Sequence, residues 1–212
     1  LELKRLTQSD LDILNSMKSV VDGIARMYGE HTEVALHSLD VDSPAIIKIA
    51  NGHITARDEG APITNLALIK LKEGKDVSDS YLSKTTSGKT LHSITTIIRN
   101  PNHEPIGLLC INVDMDAPLQ SFIKTLLPPT TETQSPETFA KNIDETIEST
   151  IESVKSEVWL SSEITPAKRN REVVTRLHDL GVFKMKDAVM MVANQLGISK
   201  DTIYLYLRGL GG

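Results

Sequence analysis

The sequence predicts an α+β protein: an N-terminal domain with a five-stranded antiparallel sheet, then a linker helix and an all-α C-terminal domain. Three observations carry this. Short segments rich in β-branched residues, separated by turn residues, crowd residues 32–113; an apolar stripe at helical spacing follows over 139–158; and 166–212 reads as short helices with a positive charge the rest of the chain lacks.

Taken in order, Ser9 is a candidate N-cap with Asp12 at the third helical position, and Leu11, Leu14, Met17, Val20, Val21 and Ile24 recur on one face, so a first amphipathic helix runs to about Met27. Thr32-Glu-Val-Ala-Leu-His37-Ser-Leu39 and Pro44-Ala-Ile-Ile-Lys-Ile-Ala50 read as two hairpin-linked strands, the second ended by Asn51-Gly52, a dipeptide suited to positive φ. Leu66, Leu68, Ile69 and Leu71 predict a helix over 63–72. Residues 82–86, 90–99 and 105–113, flanking Ser87-Gly88 and Asn100-Pro101-Asn102, supply three further strands.

The compact part is expected to span 1–127, followed by a linker with an amphipathic helix over 128–165 and a C-terminal domain over 166–212. Ser135-Pro136 is a helix-start signal, and Phe139, Ile143, Ile147, Ile151, Val154 and Val158 form one apolar stripe over about 136–160. Such a stripe needs a partner, either the N-terminal domain or, as the favoured expectation, the same helix of a second subunit in a homodimer.

With 40% hydrophobic and 24% charged residues the chain falls in the soluble globular class. No apolar run approaches the roughly 18 residues of a membrane span and no leader pattern is present, so no membrane partner and a cytoplasmic location are expected. The single Cys110 forms no internal disulfide and belongs to no zinc-ligand spacing, so no structural metal is expected. Net charge is −5, but 166–212 carries eight Lys/Arg against four Asp/Glu, which leaves −9 on the remainder. A basic module on an acidic body suits phosphate contact, although a solvated basic face would look the same.

Within that module, helices are expected over about 171–180, closed by Gly181, over about 186–196, and from a Ser199 cap onward. Val189, Val192, Ala193 and Leu196 face inward on the second, Ile203, Tyr206 and Leu207 on the third. Ala193, Gly197 and Ile203 have helix-turn-helix separations: the small residue lets the helices cross, the glycine turns the chain, and the β-branched residue locks the second helix. Double-stranded operator DNA is the expected partner. Ser199, Lys200, Asp201 and Thr202 would reach base edges or adjacent phosphates, with Lys186, Tyr204 and Arg208 alongside.

The run from Gly181-Val-Phe-Lys-Met-Lys-Asp-Ala through Gly197-Ile-Ser-Lys-Asp-Thr-Ile to Arg208 resembles the DauR-like helix-turn-helix. Thr32-Glu-Val-Ala-Leu-His37, Asn51-Gly-His-Ile-Thr-Ala-Arg57, Gly60-Ala-Pro-Ile-Thr64 and Ile106-Gly-Leu-Leu-Cys-Ile-Asn112 resemble the YheO-like PAS domain, and the order of helices and strands suits a PAS-type sensor. The resemblance implies a one-component bacterial transcriptional regulator, a repressor, in which the PAS-like domain senses a small-molecule effector and the C-terminal helices bind an operator. The chain departs from the family's Lys-Gly pattern at Lys186-Asp187.

Candidate ligand-binding residues are His37, Asn51, His53, Arg57, Thr95, Cys110 and Asn112, with Ser93 beside them. On the last strand Cys110 and Asn112 share a face opposite Leu109, Ile111 and Val113; a pocket there would let Asn112 and Thr95 orient a polar ligand and Arg57 pair with its carboxylate. Alternatively, Arg57 and His53 satisfy backbone groups of the nearby turn and Cys110 is a small buried residue. No catalytic residues are assigned and no enzyme is expected: Cys110 with His37 or His53 lacks a supporting motif, and a cysteine within an apolar strand is inert. Haem on a histidine stays open without an attachment motif, as does an adaptor whose C-terminal helices bind protein.

Overall fold

In the computed structural model the described residues are 3–127 and 139–210, and they fall into two compact units, Leu1–Glu132 and Thr133–Gly212. Among the described residues no helix is long and apolar enough to cross a membrane.

The N-terminal unit opens with α1 (Gln8–Tyr28). Its capping box is Thr7 with Asp10, not Ser9 with Asp12: the Asp10 carboxylate accepts from the Thr7 backbone at 3.0 Å and the Thr7 hydroxyl accepts from the Asp10 backbone at 3.3 Å. The earlier start has a tertiary cause, since Asp10 also accepts from the Asn100 side chain at 3.1 Å, which ties the helix entrance to a strand turn. A short helix, α3 (Leu119–Leu126), lies against α1 and was not anticipated; it follows Pro118 and has no side-chain cap to announce it.

Between them lie β1 (Thr32–Ser38), β2 (Ile46–Ala50), α2 (Asn65–Glu73), β3 (Tyr81–Lys84), β4 (Thr90–Arg99) and β5 (Pro105–Asp114). The five strands form one antiparallel sheet, as expected, and their order is β2-β1-β5-β4-β3. Every residue of β1 is buried because both sheet faces are covered. On one face Val34 stands opposite Ile111 and Leu36 opposite Leu109, and α1 closes over them with Leu14, Val21 and Ala25. On the other, the shorter α2 brings Ala67 and Leu71 onto Leu39, Ile97, Leu108 and Cys110. That cover is partial, and beyond it the face turns polar.

The C-terminal unit is helical: α4 (Ile143–Leu160), α5 (Arg169–Asp179), α6 (Ala188–Leu196) and α7 (Lys200–Arg208). The predicted helix start at Ser135-Pro136 lies outside the described residues; α4 begins at Ile143, with Asn142 as its cap. Phe139 is 86% exposed and Ile143 is exposed, so the stripe contracts to Ile147, Ile151, Val154 and Val158. These four are covered within their own unit by Val173, Val174 and Leu177 of α5 and by Ala188 and Val192 of α6. The stripe is therefore not the dimer contact expected of it. Periodicity shows that a face will be buried, not what buries it; at roughly 1.5–3 kcal/mol per buried aliphatic side chain, α4 is a core helix of this unit.

The helix-turn-helix geometry follows its predicted residues. Ala193 and Ile203 are buried, Gly197 turns the chain at φ +65°, and the Ser199 hydroxyl accepts from the Thr202 backbone at 3.1 Å to cap α7. Helix α6 starts at Ala188, later than expected, because Asp187 stands at φ +62°, a left-handed conformation that resists helix propagation, and its side chain makes no capping bond.

Asp187→Gly is expected to be more stable than Asp187→Ala by about 1 kcal/mol, the reverse of the order at an ordinary helical position, because only the left-handed backbone favours glycine. Urea denaturation of both variants checks this; alanine equal to or better than glycine would contradict it.

Candidate ligand cavity and nucleic-acid interface

Register creates the polar half of the sheet. Residues directly opposite on neighbouring strands share a face, so Glu33, Asn112, Ser93 and Tyr81 form one row across β1, β5, β4 and β3. Ala35, Cys110 and Thr95 form the next row, and His37, Leu108 and Ile97 the one after. All belong to the face that α2 covers only in part. Above it lies a cavity of about 330 Å³. His37, Cys110, Asn112, Ser93, Tyr81, Ser83 and Leu91 line its floor; Thr55, Arg57 and the start of α2 from Thr64 to Ala67 form one wall, and Lys84, Thr85 and Thr86 another.

The Arg57 wall is fixed from both ends. Asn51 donates to the carbonyls of Gly29 and Thr32 at 2.9 and 2.7 Å, pinning the chain as it leaves β2. The Arg57 backbone N–H then donates to the Gly52 carbonyl at 3.0 Å. A Cβ on Gly52 would stand 2.2 Å from the Arg57 carbonyl oxygen, so the loop closes only around glycine. The Arg57 guanidinium donates to the Pro62 carbonyl.

Below the wall, Glu33 is wholly buried. One carboxylate oxygen accepts from the Asn112 amide at 2.9 Å, the other from the Thr55 backbone and hydroxyl at 3.2 and 2.6 Å. Burial pushes its pKa up; the Thr55 and Asn112 hydrogen bonds and the Arg57 charge oppose the rise. His37 is also buried, and neither ring nitrogen makes a hydrogen bond of acceptable geometry. Burial first, then the Arg57 charge, lowers its pKa to about 4 against an opposing contribution from the nearby Leu108 backbone. The ring is neutral at physiological pH and carries one buried donor and one buried acceptor, in a residue that lines the cavity floor. Burial pushes the Cys110 thiol up to about 11 despite a 3.7 Å contact with the Thr95 hydroxyl.

Of the expected ligand residues, His37, Arg57, Cys110 and Asn112 line the cavity. Thr95 sits beneath it, its hydroxyl 2.9 Å from that of Tyr81 and its backbone N–H donating to the Ser78 hydroxyl. Asn51 is spent on the loop anchor, and His53 is exposed; neither lines the cavity. Sequence reasoning missed Glu33, Thr55 and Tyr81. Glu33 was within reach of it, since strand alternation puts it on the same face as His37.

A larger groove of about 520 Å³ runs between α4 and α5, but it is open to solvent. Its cation, Arg176, is already paired with Glu172 at 2.9 Å and Glu157 at 3.3 Å. The unmet buried histidine makes the N-terminal cavity the stronger site.

In the C-terminal unit Lys200, Asp201, Tyr204 and Arg208 are exposed on α7, and Lys186 is exposed ahead of α6. Lys184, Lys186, Lys200 and Arg208 have no ion-pair partner among the described residues. Ser199 and Thr202 are partly committed to each other, their hydroxyls 2.9 Å apart. Leu205, absent from the expected set, is 59% exposed beside Tyr204.

Residues 7–128 match the family described as YheO-like PAS domain, and residues 146–208 match an HTH domain. The chain is 40% identical over 213 residues to the Escherichia coli K12 protein YheO, covering 98% of this chain and 89% of that one. It is 40% identical over 205 residues to a Haemophilus influenzae protein, covering 95% and 93%. Over 203 residues it is 28% identical to the transcriptional regulator DauR of Pseudomonas aeruginosa, covering 93% and 94%.

The buried His37 makes stability depend on acid. Between the ordinary histidine pKa of 6.5 and about 4, the unfolded chain binds a proton that the folded ring refuses, so stability rises with pH across that window and is lost as pH falls through it. The full span is on the order of 3 kcal/mol. Glu33, whose folded pKa is raised, contributes in the opposite sense, so the test is differential. His37→Gln is expected to flatten the wild-type profile of unfolding free energy between pH 4 and 6.5; parallel profiles would contradict it.

Proposed function

The chain belongs to the family of YheO-like PAS domain proteins with a C-terminal helix-turn-helix, and from that premise we propose that it is a one-component repressor whose operator affinity is set by a small effector in the N-terminal cavity. Its standing as a DNA-binding transcriptional regulator follows from the HTH match and from its relative DauR. The observation that carries the sensing role is His37: native proteins rarely leave both nitrogens of a buried imidazole unmet, and this ring lies in the floor of a cavity that also receives Arg57.

Catalysis has less support. A thiol with a pKa near 11 is not a nucleophile at neutral pH, and the Glu33 carboxylate already accepts three hydrogen bonds. A haem needs a broad apolar slot, whereas this lining is rich in hydroxyls and holds an arginine. Operator binding through paired half-sites favours a homodimer. Because the α4 stripe is already covered, that contact belongs elsewhere; α3 leaves Leu119, Ile123 and Leu126 exposed at helical spacing.

An adaptor role for the C-terminal helices would draw on the exposed Leu205, but Lys184, Lys186, Lys200 and Arg208, without an ion-pair partner among the described residues, favour phosphate. Fluorescence anisotropy on the promoter DNA upstream of the encoding gene distinguishes the two. Lys200→Ala is expected to weaken binding and to reduce the slope of log affinity against log salt by about 0.9, one phosphate contact. If Lys200→Ala and Lys186→Ala both bind like wild type with unchanged slopes, the adaptor reading replaces this one.

A further inference from the structure

The charges around the N-terminal cavity narrow what it can take, granted the sensing role proposed above. Among the described residues two cationic side chains line it, Arg57 and Lys84, and no carboxylate does. Glu33, the buried acid beneath, spends both oxygens on Thr55 and Asn112 and serves as a positioning residue for the wall and floor. A ligand ammonium would therefore enter a positively charged space with no anion to receive it, at a cost that low dielectric enlarges. A ligand carboxylate finds Arg57, whose guanidinium spends only its bond to the Pro62 carbonyl and keeps donors free.

The remaining unmet groups are neutral. His37 offers one ring donor and one ring acceptor. The Asn112 amide nitrogen is used on Glu33, while no donor among the described residues reaches its carbonyl oxygen. A hydroxyl has one hydrogen and two lone pairs, so it can accept from the imidazole N–H while it donates to the Asn112 carbonyl; a carboxylate only accepts and an ammonium only donates. The cavity volume, about 330 Å³, lies at the small end of ligand pockets.

We propose that the cavity binds a small hydroxy acid, with its carboxylate on Arg57 and a hydroxyl on His37 and Asn112, and that it rejects amino-acid zwitterions. The two halves of the ligand are read separately, charge at the wall and hydroxyl at the floor. A neutral polyol lacks the first and an amino acid adds a charge the site cannot pair.

The test uses the full chain and three probe sets matched in size: the aldonic acids threonate and gluconate, the alditols erythritol and sorbitol, and the amino acids threonine and glutamine. Binding is measured by calorimetry for the wild type, Arg57→Gln and His37→Phe. At least one aldonic acid is expected to bind about tenfold or more tighter than its alditol and its amino-acid counterpart, and each substitution is expected to weaken it about tenfold or more. An amino acid or alditol that binds as tightly as the acids, and depends on Arg57 and His37, overturns the hydroxy-acid class while leaving a sensing cavity in place. A probe whose affinity neither substitution changes overturns both the class and the cavity. Absence of binding by every aldonic acid overturns the class.

Discussion

Burying the Glu33 carboxylate in the middle of a sheet is the constraint around which the N-terminal unit is organised. Removing a carboxylate from water costs several kcal/mol unless its oxygens are met, and here three donors meet them. Two come from Thr55, so the segment after β2 is held against the sheet; the third comes from Asn112, which fixes the orientation of that amide on the cavity floor. The same segment carries Arg57, whose charge opposes the rise in the Glu33 pKa and contributes to keeping His37 neutral. The cavity is therefore built in advance of any ligand by groups satisfied among themselves, and His37 stands out because it is not.

The C-terminal unit rests on a different constraint, apolar closure. Helix α4 spends its whole buried stripe on α5 and α6, so the helix-turn-helix is the outer half of a larger core. With Ala193, Val192 and Ile203 locked from behind, the exposed side of α7 is left mainly to polar, cationic and aromatic side chains, with Leu205 the exception.

The strands were legible because alternation, β-branching and the Asn-Gly and Ser-Gly turns agreed at each of them, and the Ala193, Gly197 and Ile203 separations named the helix-turn-helix before its helices were seen. What escaped were decisions taken at a distance. The α1 cap moved to Thr7 because Asn100, ninety residues away, holds the second oxygen of the Asp10 carboxylate that closes the capping box. The α6 start moved because Asp187 takes a backbone conformation that its side chain does not announce. The α4 stripe was read correctly as a face in need of cover, but its cover lies in residues 173–192 and not in a second chain. At the cavity, His37, Arg57, Cys110 and Asn112 followed from strand parity and one cation. Asn51 and His53 were drawn in by proximity in sequence, although the turn that carries them faces elsewhere; Tyr81 and Ser93 meet Asn112 only through the cross-strand register, which sequence alone does not give.

The central claim, that occupancy of this cavity governs DNA binding, is tested most directly without knowing the effector. Promoter DNA is titrated with the full chain in the presence and absence of the low-molecular-weight fraction of a cell extract, for the wild type and for Arg57→Gln. The account predicts that the fraction changes the operator affinity of the wild type and leaves that of Arg57→Gln unchanged. The same change in both proteins, or no change in the wild type, would contradict it.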